Sequence, residues 1–243
     1  MEKDIVYILK NDVNSEELRY SLRSICKNFR FNNVWFFGGK PEGIEPDHYV
    51  FFSQSGKNKW EKATSVYECI FTTKEITNEF YLFNDDFFVL NSYKQNNHYV
   101  IGTLKNRIDR ILARKKSAYA NMLIETKEML EAYGYDTLDY GSHTPFLINK
   151  QKGFDTIKTF GIGKSFRSLY GNYNRIGGII KPDVKIANLY DIPSNTQTLV
   201  STNDKSFYHG RVGDFIRNYF PNPCKYEQLV YEDKYYNIEV SNS

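Results

Sequence analysis

The chain has 243 residues, of which 41% are hydrophobic and 25% are charged, a balance typical of a globular protein with one large core. A formal net charge of +3 is too small to indicate nucleic-acid binding by itself, and three widely spaced cysteines indicate neither a disulfide framework nor a zinc site. No apolar run approaches the roughly 20 residues that span a bilayer, and the first residues lack the apolar segment of a signal peptide. These features predict a cytoplasmic protein without a membrane span.

The first third of the chain alternates strand-like and helix-like segments. Residues 5–9 form a near-continuous apolar run, as expected of a strand that is buried on both faces. Ser15 is placed to cap a helix whose apolar positions recur at helical spacing. Further strands are predicted at 34–37, 49–52 and 80–83, with a helix over about 60–73. This alternation predicts an α/β protein with a mostly parallel sheet flanked by helices.

Two adjacent carboxylates follow the last of these predicted strands. Asn84, Asp85 and Asp86 come directly after residues 80–83, which places the acids at the carboxyl end of the sheet, where open α/β sheets bind ligands. Their oxygens suit Mg²⁺ or Mn²⁺ holding a diphosphate. The alternative is a loop in which the aspartates cap the next helix.

Residues 104–133 read as helical and charged, either as two helices or as one bent helix. Arg107, Arg110 and Arg114 recur at i, i+3 and i+7, so they form a basic stripe on one side, continued in sequence by Lys115 and Lys116. A solvated helix face is the ordinary explanation of such a stripe. The simplest partition is one domain over residues 1–243, with 104–133 as a helical insertion.

Four basic side chains are candidates for binding or catalysis. Arg19 and Arg23 lie one turn apart on the first predicted helix, where they could reach a phosphate or pair with Glu16 and its neighbours. His143 precedes a proline-bent apolar segment and could act as a general base, although most histidines are structural. Arg167 stands among aromatic residues and suits a diphosphate, or else a surface salt bridge.

A further hard carboxylate is found late in the chain. Asn203 and Asp204 offer oxygen ligands, and they could equally cap a helix that begins near Lys205. Each of these signals is weak when it is taken alone. Their order along the chain carries more information than any one of them.

In that order the segments resemble the Stealth family of hexose-1-phosphate transferases, which includes bacterial capsule polymerases and the lysosomal-enzyme GlcNAc-phosphotransferase. The resemblance spans about residues 4–227 and is greatest to short, single-domain bacteriophage relatives. The segments that carry it are 4–7, 17–25 continuing through 80–88, 143–145 with Arg167 downstream, 203–204, and the Phe-Pro ending over 220–227. One departure is the turn around Asn11, where this chain lacks the family's usual Trp-Val-Asp/Asn-Gly.

The resemblance implies a glycosyltransferase-A-like core that takes a UDP-sugar, a UDP-hexose or UDP-N-acetylhexosamine, with a divalent metal, Mg²⁺ or Mn²⁺. It also implies transfer of sugar-1-phosphate to an acceptor hydroxyl, with release of UMP. If the chain is phage-encoded, its setting would be the host cytoplasm. The residues 104–133 would shape the choice of acceptor.

The resemblance also implies roles for individual residues. His143 would deprotonate the acceptor hydroxyl or stabilise the transferring group, and Arg167 would hold the diphosphate, with Asp85 beside them as a supporting carboxylate. Metal ligation falls to Asp86 and Asp204, with Asp85 and Asn203 as supporting or alternate ligands. Contacts to the nucleotide sugar are implied for Arg19, Arg23, Asn11 and Asn84.

Two other activities remain open from the sequence. A glycosyltransferase would use the same donor and metal, but the acceptor would attack the anomeric carbon and UDP would be released. Its acceptor could be a cell-surface glycan or a hydroxymethylated base in phage DNA. In the second case the arginine stripe would contact DNA phosphates. A non-catalytic nucleotide-sugar or glycan-binding module is the third possibility.

Overall fold

A computed structural model describes residues 2–10, 15–94, 97–114 and 117–228. The strands are β1 Asp4–Leu9, β2 Val34–Gly38, β3 His48–Phe51, β4 Glu79–Phe83, β5 Phe87–Val89, β6 Tyr99–Val100, β7 Phe146–Asn149, β8 Ile179–Ile180 and β9 Leu199–Ser201. The helices are α1 Glu16–Asn28, α2 Lys59–Thr64, α3 Tyr67–Thr72, α4 Leu104–Leu112, α5 Ala118–Ala132, α6 Lys150–Phe160, α7 Phe166–Tyr173, α8 Asp204–His209 and α9 Arg211–Tyr219.

The centre of the fold is a five-stranded sheet in the order β3-β2-β1-β4-β7. Strands β3, β2, β1 and β4 are parallel, and β7 pairs with β4 in the antiparallel sense. The predicted α/β class with a mostly parallel sheet is therefore confirmed. The structure adds the antiparallel edge strand, which the sequence analysis did not predict as a strand.

The apolar run at the start of the chain forms the middle strand, β1, and both of its faces are buried. Val6 packs on one face against helices that include α3 and α6, whereas Ile5 and Tyr7 pack on the other face against α1. Successive side chains of a strand point to opposite faces, so a strand between two helical layers must be apolar at nearly every position. Its one buried acid, Asp4, lies at the amino end and accepts hydrogen bonds from the Trp35 indole of β2 and from groups in the neighbouring loops.

Helix α1 begins where the sequence predicts. The Ser15 hydroxyl accepts a hydrogen bond from the backbone N–H of Leu18 at 3.2 Å, so it caps the helix. Leu18, Leu22 and Ile25 are fully buried against the sheet. By contrast, the helix predicted over 60–73 is two short helices, α2 and α3, because Ser65 and Val66 interrupt it.

The stretch 104–133 forms two helices, α4 and α5, which pack on each other and on the helices beyond β7. Leu104 and Ile108 of α4 meet Leu123 of α5 in one apolar cluster, together with Phe160 and Leu169 of α6 and α7. Treating this pair of helices as an insertion remains a prediction. No helix in the described part of the chain is both long enough and apolar enough to cross a membrane.

Candidate active site

The predicted acid pair lies in the turn that joins β4 to β5. Strand β4 ends at Phe83, which pairs with Tyr7 near the carboxyl end of β1, so the turn stands at the carboxyl edge of the parallel strands. No helix follows Asp85 and Asp86, because β5 begins at Phe87. The alternative in which these aspartates cap a helix is therefore wrong.

The inner face of α1 holds the strand that follows this turn. The Ser21 hydroxyl donates to the Phe87 carbonyl at 2.7 Å, and the Val89 N–H donates to the Ser24 hydroxyl at 3.0 Å. One turn further on, the Asn28 amide donates to the Val89 carbonyl at 2.7 Å. Three polar side chains of one helix thus fix the backbone of β5, and with it the far side of the acid turn.

Arg167, at the start of α7, spans from this turn to the loop before β7. Its Nη1 donates to the carbonyls of Ser142 and Thr144, both at 2.9 Å, and its Nη2 lies 3.4 Å from Asn84 Oδ1. Burial lowers the pKa of the guanidinium, with Tyr67, Asp86 and Asp183 acting in the opposite direction. In the described residues, no carboxylate forms an ion pair with Arg167, so its positive charge is held by neutral oxygens.

His143 is oriented by an aspartate that sequence analysis did not single out. His143 Nδ1 lies 2.7 Å from Asp183 Oδ2, and the His143 backbone N–H donates to Asp183 Oδ1 at 3.1 Å. Burial acts to raise the pKa of Asp183, but the hydrogen bonds and charge of His143 outweigh it, and the net pKa is lowered. An ionised carboxylate only accepts hydrogen bonds, so Nδ1 is the nitrogen that donates to Asp183; in the neutral imidazole, Nε2 is then the acceptor.

His143 and Arg167 line one cavity of 250 Å³. The Phe87 ring lies between them: it meets His143 edge-on with centroids 6.4 Å apart, and the Arg167 guanidinium carbon lies 5.4 Å from its centroid. Other side chains on the cavity wall include Asn84, Tyr119 and Lys164. The imidazole of His143, the guanidinium of Arg167 and the ammonium group of Lys164, which pairs with Glu125, therefore share one concave surface.

Two further carboxylates, those of Glu17 and Asp204, lie near the acid turn. Burial raises the pKa of Glu17 to about 7. The Thr202 hydroxyl donates a hydrogen bond to its carboxylate at 2.7 Å, which acts to lower the pKa but does not outweigh burial. Asp85, Asp86 and Asp204 also raise the pKa of Glu17, which places all three within electrostatic reach of it. Burial, followed by the charge of Asp86, raises the pKa of Asp85 to about 6.

The two carboxylate oxygens of Asp86 differ in their hydrogen bonding. Oδ2 accepts from Lys185 Nζ at 3.2 Å and from the Ser201 hydroxyl at 3.1 Å. Oδ1 is buried, and nothing in the described residues donates to it. Such an oxygen fits a cation, but the described ranges contain no group of three or more acidic, histidine or cysteine side chains arranged to hold a metal. Mg²⁺ commonly takes only one or two carboxylates together with substrate phosphates, so the residues present are compatible with that ion.

The two arginines of α1 have partners within the protein. Arg23 forms a two-pronged ion pair with Glu227 at 2.7 and 2.8 Å and donates to the Phe220 carbonyl at 2.9 Å. Arg19 donates to the Glu42 carbonyl at 2.8 Å and lies 3.8 Å from Glu227. Neither pairs with Glu16, whose described partner is Arg217. These contacts give both arginines a structural explanation, and binding of a nucleotide sugar by them stays a prediction.

Residues 203 and 204 begin α8. The Asn203 side chain accepts from the Ser206 N–H at 2.8 Å, and the Ser206 hydroxyl accepts from the Asn203 N–H at 3.0 Å, so Asn203 is the helix cap. Asp204 follows in the first turn, which leaves its carboxylate available for other contacts. The predicted binding residue Asn11, like Lys115 and Lys116, lies outside the described residues.

Comparison with solved structures finds a likeness to the apo form of the glycosyltransferase GlyE from Streptococcus pneumoniae TIGR4. The likeness covers 90% of this chain and 60% of that chain, with 11% sequence identity and a TM-score of 0.44. This chain therefore corresponds to less than two thirds of the other protein, and the similarity is too low to decide function. No protein-family model matches the chain, and no curated protein does.

Proposed function

We propose that this protein is a transferase that takes a nucleotide sugar, a UDP-hexose or UDP-N-acetylhexosamine, and passes sugar-1-phosphate to an acceptor hydroxyl. The observation that carries the proposal is Arg167, a half-buried cation that faces the same cavity as the paired His143. Buried charges are normally paired, and Arg167 has no ionic partner among the described residues. A diphosphate at this place would supply the missing negative charge.

The chemistry follows from the two side chains. The acceptor oxygen attacks the β-phosphorus of the donor, its proton passes to His143 Nε2, and the bond from the β-phosphorus to the bridging oxygen breaks, so that UMP leaves with the electron pair. Asp183 keeps the histidine ring oriented and balances the positive charge that the ring acquires. Arg167 binds phosphoryl oxygens, on which charge accumulates in the transition state.

Asp86 and Asp204 would hold the divalent cation, with Asp85 and Asn203 in support. When bound, Mg²⁺ or Mn²⁺ would neutralise part of the diphosphate charge. Lys185, which sequence analysis did not single out, already brings one positive charge to Asp86 Oδ2. The dependence on metal is therefore a prediction separate from the transfer of sugar-1-phosphate.

The decisive experiment is to offer a panel of nucleotide sugars with Mg²⁺ or Mn²⁺ and simple acceptors, and to identify the nucleotide product by mass spectrometry. Release of UMP together with a phosphosugar product is the expected result. Release of UDP would replace the proposal with transfer of the sugar itself. Absence of turnover and of donor binding across the panel would contradict enzymatic activity on nucleotide sugars.

A further inference from the structure

A second cavity of 530 Å³ lies beside the first and is lined by Arg107 and Arg110 of α4 and by Arg114, which lies in the turn just after that helix. Arg107, Arg110 and Arg114 all face it, so the stripe that the sequence predicts lines a concave surface instead of lying on a flat helix face. Pockets that bind small molecules typically occupy about 300–1,000 Å³. The size and shape of this cavity are therefore those of a ligand site.

The two cavities share a wall. Tyr119 lines both of them. Asp183 lines the arginine cavity while its carboxylate holds His143, which lines the other. A molecule bound by the arginines would consequently lie next to the histidine that we assign to deprotonation of the acceptor.

The charges in the arginine cavity are not balanced. Arg107 is held in place by Asp139, whose Oδ2 lies 3.5 Å from Nη1, and its guanidinium stacks 5.6 Å from the Tyr119 ring centroid. Arg110 and Arg114 are exposed and form no ion pair with any residue that the structure describes. Arg107 and Arg110 are three residues apart on α4, so their like charges repel each other, a cost that an anionic ligand would relieve. The acids that face these groups are Asp139 and Asp183, so positive charge is in excess.

We propose that this cavity binds an anionic group, a phosphate or a carboxylate, on the sugar that accepts the transferred group. The inference deepens the proposed function and rests on it. Arg110 and Arg114 would bind the anion while a neighbouring hydroxyl of the same sugar reaches His143. A glycan fits better than a nucleic acid, because strong nucleic-acid binding uses many phosphate contacts and this cavity offers only two unpaired arginines. The net charge of the whole chain is also small, at +3.

The test measures binding of glucose 6-phosphate and of glucose by calorimetry, with UDP and Mg²⁺ present at saturation so that the donor site is filled. The test variant is Arg110→Gln with Arg114→Gln. Its matched control is Lys105→Gln with Lys127→Gln, which removes the same charge from ion pairs within α4 and within α5, outside the cavity. Lys105 and Arg110 lie on α4, Lys127 lies on α5, and Arg114 lies in the turn just after α4. None of the four belongs to the apolar cluster between the helices, so both variants should fold.

We expect glucose 6-phosphate to bind more tightly than glucose, and the arginine variant to weaken its binding about tenfold or more while the control does not. UDP binding should be unchanged in both variants and weakened by Arg167→Lys, which reports on the donor site alone. Equal binding of the two sugars, no binding at millimolar concentrations, or an unaffected arginine variant would overturn the proposal. Displacement of the sugar phosphate by a thymidine oligonucleotide at far lower concentration, with a steep salt dependence, would overturn it in favour of nucleic acid.

Discussion

His143 differs from an ordinary surface histidine because its ring and its backbone N–H are both tied to one carboxylate, that of Asp183. Two bonds to the same aspartate fix the orientation of the ring as well as its position. The remaining nitrogen then points to a defined place, as general-base catalysis requires.

Replacing His143 with alanine should lower the turnover number by roughly 10²–10⁴-fold and leave the dissociation constant of the donor nearly unchanged, because a general base acts on the acceptor proton. Asp183→Asn should also lower turnover, since the asparagine amide no longer holds the ring in one tautomer. Single-turnover kinetics and calorimetry separate the two effects. A large loss of donor affinity with intact turnover would refute the role of His143.

The metal assignment is tested at Asp86 and Asp204. We expect Asp86→Ala and Asp204→Ala to stay folded but to lose metal-dependent turnover by roughly 10²-fold or more, while Asp109→Ala, an exposed acid of α4, retains it. Each variant is assayed with Mn²⁺ and after removal of metal by EDTA. If the wild-type enzyme is fully active in EDTA and Lys185→Ala abolishes that activity, the lysine supplies the positive charge and the metal assignment fails.

At the scale of residues, sequence analysis identified candidate side chains better than it identified the residues they contact. It selected His143 and Arg167, but Asp183 is 40 positions away from the histidine in sequence and has no local pattern that marks it. Sequence analysis gave Glu17 no role of its own, yet its carboxyl is buried and accepts a hydrogen bond from Thr202. Such contacts depend on the meeting of distant segments, which local spacing does not encode.

At the scale of elements, α1 connects the core to the last described segment. Its Arg23 side chain binds Glu227 in a buried pair, with side chains only 13% and 4% exposed. Burial acts to raise the pKa of Glu227, but the hydrogen bonds and charge of Arg23 and its neighbours lower it overall. This pair joins the helix to the segment that follows α9.

Glu227→Gln should lower the free energy of unfolding by about 3 kcal/mol, because it leaves the Arg23 cation buried without a counter-charge. The matched control is Glu45→Gln, which breaks the exposed pair with Lys40 and should cost about 1 kcal/mol or less. Urea denaturation at neutral pH measures both. Equal effects of the two changes would show that the buried pair contributes no more than a surface pair.

Elements with strong local signals were predicted well, and those held by tertiary contacts were not. Strand β1 and the cap of α1 follow from the apolar run and from Ser15, and both are found where they were predicted. The break between α2 and α3 has no glycine or proline to mark it, and the antiparallel strand β7 is defined by its pairing with β4. Pairing between distant strands leaves only a weak local pattern.

At the scale of the whole molecule, Glu17 should make stability depend on pH. Its folded-state pKa of about 7 lies above the ordinary value of 4.5. Between these two pH values the folded protein therefore keeps a proton on Glu17 that the unfolded chain has lost. Stability from this group is therefore greatest below about pH 4.5 and falls as the pH rises towards 7, by at most about 3 kcal/mol.

Glu17→Gln removes this titration and keeps an oxygen that accepts from Thr202. Urea unfolding from about pH 4 to about pH 8, in EDTA, should show the variant gaining stability relative to the wild type as pH rises. Glu131→Gln, at an exposed position, should follow the wild type. A constant difference between Glu17→Gln and the wild type over this range would contradict the raised pKa.

The global architecture was the most predictable level, because alternating apolar and polar segments specify a layered α/β fold. The candidate site was predictable in outline: acids at the carboxyl edge of the sheet, and an arginine and a histidine from later segments. Its second cavity was not, because the spacing of Arg107, Arg110 and Arg114 fits a solvated face as well as a cavity wall.

The attachment of β5 to the inner face of α1 has an evolutionary consequence. The hydroxyls of Ser21 and Ser24 never meet a reactant, yet they set where the backbone after Asp86 lies. We therefore expect selection for new substrates to yield substitutions on this buried face of α1 as well as in the cavities. Genetic suppressors of a weakened acid turn should be sought there, more than fifty positions earlier in the gene.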